Sequence, residues 1–122
     1  MQWLLHGSIT PAVAEELARH EHKTHQVSEL GLKADATPVE MLKSAAERQW
    51  DIMTTDAVLA DAPFSENVLF SRTIVLLAVG AGDVEQDDAI ERLFDRYKRL
   101  APKRLYTVTP TRVKIRQLPG SA

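Results

Sequence analysis

The side chains able to do chemistry in this sequence are acids, four histidines and a late cluster of bases, and there is no cysteine. The last fact removes a thiol nucleophile, a thiolate zinc site and a disulfide framework. Charge is distributed unevenly. Residues 1–91 carry six Lys/Arg against sixteen Asp/Glu, whereas residues 92–122 carry nine Lys/Arg and the single Asp95. Within that basic quarter Arg112, Lys114 and Arg116 alternate with Val113 and Ile115. On an extended strand the three cations project from one face, where they are candidate contacts to the phosphates of RNA. Charged edge strands also guard against sheet-to-sheet aggregation, which is the plainer role for the same residues. His20, His22 and His25 straddle a predicted helix end and strand start, and a helix C-terminus attracts such residues without any metal.

These groups need a scaffold, and 122 residues at 44% apolar and 26% charged suit one folded domain over 1–122. No apolar run is long enough to cross a membrane and no basic, apolar leader opens the chain, so a cytoplasmic protein is expected. Trp3-Leu4-Leu5 reads as a strand, and Thr10-Pro11 as the N-cap and first residue of a helix to about His20, with Val13, Ala14, Leu17 and Ala18 on its buried face. A short strand over Thr24–Val27 follows. Thr37-Pro38-Val39-Glu40 has the form of a capping box for a second helix bearing Met41, Leu42, Ala45 and Ala46. Asp51–Asp56 reads as a strand running into a polar end. Ala57–Arg72, interrupted by Pro63, reads as a short helix and a loop.

Thr73–Val79 is a continuous apolar run ended by Gly80, the pattern of a strand buried on both faces. Asp83 is the expected cap of a long helix in which Val84, Ile90, Leu93, Phe94, Tyr97 and Leu100 recur, ending at Pro102. Leu105–Thr109 and Arg112–Gln117 form a terminal hairpin across Pro110-Thr111. The alternation of strand and helix predicts an α/β fold: a mainly parallel sheet covered by helices on both faces, with an antiparallel hairpin at one edge. Ligands in such sheets bind beyond the C-terminal strand ends, which directs attention to His6 to Ser8, Asp56 and Gly80 to Asp83.

The order of these pieces resembles a known family, the compact PIN-like domains of bacterial proteins related to toxin–antitoxin ribonucleases. The carriers are Leu4-Leu5-His6-Gly7-Ser8-Ile9-Thr10-Pro11, the Gly31-Leu32 loop before Glu40-Met41-Leu42 and Ala45, Asp51-Ile52-Met53-Thr54-Thr55-Asp56, and Arg112-Val113-Lys114-Ile115-Arg116-Gln117-Leu118-Pro119. The resemblance implies a three-layer α/β/α domain and a carboxylate site for magnesium or manganese, hard cations that orient water against a phosphodiester. Asp56 falls on the first aspartate of the family's Thr-x-Asp-x-Asp segment, and Val58 replaces the second. His6 stands where an aspartate usually follows the first strand, and of the acidic run on the second helix only Glu40 remains.

The resemblance therefore implies Asp56 and Glu40 as catalytic and metal residues, with His6 as a third ligand better suited to a transition metal. Asp35 and Asp61 are possible supplements, and read otherwise as solvated loop acids. The expected function is a non-catalytic RNA- or protein-binding module with a degenerate metal site; the alternative is a Mg/Mn-dependent endoribonuclease. A homodimer and an antitoxin-like protein partner are further implications. A receiver-like domain, phosphorylated at an aspartate after the third strand, would need an acidic pair after the first strand, where His6-Gly7-Ser8 stands.

Overall fold

The computed structural model describes residues 1–119, so the single domain expected over 1–122 is described as far as Pro119, and 120–122 lie outside the described residues. In chain order the elements are β1 (Gln2–His6), α1 (Pro11–Arg19), β2 (Lys23–Gln26), a 3-10 turn (Val27–Leu30), α2 (Pro38–Glu47), β3 (Asp51–Thr54), α3 (Ala57–Ser65), β4 (Ile74–Leu77), α4 (Asp83–Arg96), β5 (Arg104–Val108) and β6 (Val113–Gln117). The six strands form one sheet in the order β2-β1-β3-β4-β5-β6. Pairing is parallel from β2 through β5, and β6 returns antiparallel along β5.

Successive strand residues face opposite sides, so β1, β3, β4 and β5 each feed two cores. Trp3 and Leu5 of β1, Met53 of β3 and Val75 and Leu77 of β4 pack with Val13 and Leu17 of α1 and Ile90, Leu93 and Phe94 of α4. Leu4, Ile52 and Ile74 face the other way, onto Leu42 and Ala45 of α2 and Leu59 and Ala62 of α3. Helices thus cover both faces, α1 and α4 on one and α2 and α3 on the other. The central position expected of the Thr73–Val79 run is observed, because β4 lies between β3 and β5 and its Ile74 and Val75 are fully buried.

Several local expectations change once packing is seen. The buried face of α1 includes Glu16 rather than Ala18, because the helix is turned toward α4. Thr10 occupies the N-cap position of α1, but its hydroxyl makes no cap bond. The Thr10 N–H instead donates to Gln86 Oε1 at 2.9 Å, and Gln86 Nε2 donates to the Ser8 carbonyl at 2.8 Å, so a wholly buried α4 side chain pins the turn after β1.

In α4 the N-cap is Gly82, with Asp83 as the first helical residue, where its charge suits the positive helix end. Val84 is exposed, its buried role being taken by Gln86 and Ala89, and the helix stops at Arg96, before Tyr97 and Leu100. Pro63 sits inside α3, where it removes one backbone bond, yet it is buried with Leu59, Ala60 and Ala62 and the helix holds through that packing. Val27 belongs to the 3-10 turn rather than to β2.

Candidate functional site

The connection after β1 leads to α1 on one face of the sheet, and that after β3 leads to α3 on the other. Neighbouring strands whose connections diverge open a crevice at their C-terminal ends, the usual ligand position in such sheets. His6 closes β1 there, and Asp56 follows β3 by two residues. His6 Nδ1 lies 2.8 Å from Thr54 Oγ1, and the same hydroxyl accepts the Asp56 N–H at 2.9 Å. The Ser8 N–H donates to Thr55 Oγ1 at 2.8 Å. Gly7 makes this latch possible: its φ is +85°, and a Cβ there would lie 2.5 Å from Thr55 Oγ1.

Burial lowers the pKa of His6 below its ordinary value, against a smaller opposing pull from the Asp56 charge. The imidazole is therefore neutral near pH 7 and able to accept or relay a proton. Asp56 Oδ1 accepts the Val58 N–H at 2.8 Å, capping α3. Glu40, exposed at the start of α2, makes the reciprocal capping box with Thr37: its N–H donates to Thr37 Oγ1 at 3.2 Å, and its carboxylate accepts from the Thr37 backbone N–H at 3.5 Å. His6 and Asp56 are thus brought together, while Glu40 caps a different helix. The ligating atoms of the three form no three-ligand group among the described residues. A magnesium ion demands near-octahedral oxygen coordination, and two capping carboxylates with an imidazole do not fit it as they stand. Val58 is exposed, and so are Asp35 and Asp61.

A different acidic group does converge. Ligand atoms of Glu16 on α1 and of Asp87 and Glu91 on α4 lie within 4.8 Å of one another, close enough to hold one cation. Arg19 already binds Glu16 and approaches Asp87 at 3.8 Å, and His20 Nε2 lies 3.3 Å from Glu16. The Arg19 hydrogen bond pulls the Glu16 pKa down, while desolvation and the neighbouring Glu16 push that of Asp87 up. Nothing in the local sequence marks Glu16 as a buried position, because its burial comes from the packing of α1 on α4. The i,i+4 spacing of Asp87 and Glu91 was the cluster's one visible sign.

The histidine group is taken up by packing. His22 Nδ1 accepts the Trp3 indole N–H at 2.7 Å, His20 stacks on Phe94, and His25 stacks on Trp50 with ring centroids 3.8 Å apart. Of the basic trio, Lys114 and Arg116 lie on β6, and the Arg116 guanidinium sits 3.6 Å above the Phe64 ring. Arg112 falls in the turn before β6, where its backbone carbonyl and N–H both bond to Thr109. All three side chains are exposed. Among the described residues no helix is long and apolar enough to cross a membrane.

Compared with protein-family models, with curated proteins and with solved structures, the chain matches none.

Proposed function

We propose that this chain is a PIN-like domain of the three-layer kind that has kept the scaffold without a working carboxylate site and binds single-stranded RNA non-catalytically. One observation carries the reading: both acids that the resemblance points to, Asp56 after β3 and Glu40 in the first turn of α2, are engaged as helix caps, and the expected partners are His6 and an exposed Val58. Nothing there supplies the hard oxygen shell that magnesium or manganese needs to activate water. The RNA part rests on the surplus of Lys/Arg after residue 91 and on the exposure of Arg112 and Lys114.

Fluorescence anisotropy with a labelled single-stranded RNA, followed across salt concentration, tests this. Binding should weaken steeply with salt, and Arg112→Ala and Lys114→Ala should each reduce the logarithmic salt slope by roughly 0.7. The same RNA should survive incubation with manganese. Salt-insensitive or undetectable binding would remove the RNA reading and leave a protein partner as the object of search. Cleavage abolished by Asp56→Asn would replace the non-catalytic reading with an endoribonuclease.

A further inference from the structure

At the end of the sheet opposite His6 and Asp56, the starts of the parallel strands line an open cavity of about 420 Å³. His22 precedes β2, Asp51 opens β3, Thr73 precedes β4, and Leu100 lies shortly before β5. Arg72, Lys98 and Arg99 bring three positive charges to its lining against the one carboxylate of Asp51, a surplus of two. That carboxylate is already committed, since Oδ1 accepts the Thr73 N–H at 2.9 Å and Oδ2 accepts from Arg72 Nη2 at 3.2 Å. The Arg72 guanidinium is thereby held in place, yet its Nε is buried and has no hydrogen-bond partner among the described residues.

The remaining wall is formed by Met1, Leu100, Pro102 and the His22 ring, with Thr73 as a further polar residue. His22 is neutral, and because its Nδ1 accepts from Trp3 its proton sits on Nε2, a second donor on a cavity-lining residue. Three cations in the lining of a recess of this size, together with Leu100, Pro102 and the His22 ring, suit a ligand with a compact anionic head and an uncharged flat body.

We propose that this cavity binds a phosphate monoester of the nucleoside monophosphate class, with Arg72, Lys98 and Arg99 holding the phosphate and the His22, Leu100 and Pro102 wall receiving the base. The site is separate from Arg112 and Lys114 and does not rest on the RNA reading above. The same head group is offered by a free mononucleotide and by the 5′-phosphorylated end of an RNA.

Calorimetric titration of the full chain with adenosine 5′-monophosphate at low salt should show saturable binding, with adenosine and inorganic phosphate each at least about ten-fold weaker. The exposed pair Lys98→Gln/Arg99→Gln should weaken binding by about ten-fold at unchanged melting temperature. That pair keeps the test clear of folding defects that Arg72→Gln would introduce beside Asp51. A 5′-phosphorylated RNA tetranucleotide binding more tightly than the mononucleotide, and than its 5′-hydroxyl counterpart, upholds the site and assigns it to RNA ends. Preference for the mononucleotide upholds it and assigns it to free nucleotide. Absence of saturable binding, equal binding by the Lys98→Gln/Arg99→Gln protein, or inorganic phosphate as tight as the mononucleotide overturns the proposal.

Discussion

The indole N–H of the fully buried Trp3 donates to Nδ1 of His22 at 2.7 Å, so the strongest packing residue of β1 depends on a histidine that stays unprotonated. Burial, the N-terminal ammonium and His20 push the His22 pKa from 6.5 down to about 4.

The pH dependence follows from that direction. Between about 4 and 6.5 the unfolded chain binds a proton at His22 that the folded chain refuses, so folding stability is complete above pH 6.5 and falls as pH drops toward 4. A shift of this size corresponds to at most about 3 kcal/mol, and solvent screening of the partly exposed ring reduces the expected loss to about 1 kcal/mol. Urea midpoints at pH 7 and pH 4.5 should differ more for the parent than for His22→Gln, which keeps an acceptor for Trp3 and removes the titration. Equal pH dependence in the two proteins would refute the assignment.

Gly7→Ala should destabilise the fold by about 2 kcal/mol, because a side chain must adopt a left-handed φ while meeting Thr55 Oγ1. Adding Thr55→Ala should restore only part of the loss, since it relieves the contact and leaves the backbone strain. Denaturant titration of the three proteins measures both quantities, and full rescue would mean that the contact alone matters.

Val58→Asp should change stability by no more than about 0.5 kcal/mol, since Val58 is 66% exposed in the first turn of α3. The substitution can then serve as a clean test of the PIN-like reading. Combined with His6→Asp it should raise manganese affinity by more than the product of the two single effects, because neighbouring ligands share one cation. Calorimetry on the four proteins decides it; a double variant no tighter than the better single would count against the family site.

Asp51→Asn keeps an acceptor for the Thr73 N–H and leaves the Arg72 cation without its counter-charge. The expected cost is about 2 kcal/mol, below that of breaking a fully buried pair because Arg72 retains access to solvent. Replacing both, as Asp51→Asn/Arg72→Gln, should cost less than the sum of the single changes in thermal unfolding. Strict additivity would show that the two side chains are not coupled.

The α/β class and nearly all of the elements were legible in the sequence, because they rest on local properties. The apolar run Thr73–Val79 read as a strand buried on both faces, of which Ile74–Leu77 forms β4, and Thr37 to Glu40 formed the capping box that their spacing predicted. Polar burial was not legible in the same way. Glu16 and Gln86 look like solvent-facing residues until α1 and α4 are brought together, and helix periodicity reports only that one face is apolar, not which residues at its margin a neighbour will cover.

The sites divide similarly. The positions of His6 and Asp56 at strand ends could be read along the chain, but their meeting depends on β3 lying beside β1 while their connections diverge to opposite faces. The cavity at the other end gathers His22, Asp51, Arg72 and the Lys98–Leu100 segment from four separate stretches of chain. No spacing rule joins such residues, because their adjacency is created by strand order, and strand order is settled by burying both faces of the sheet at once.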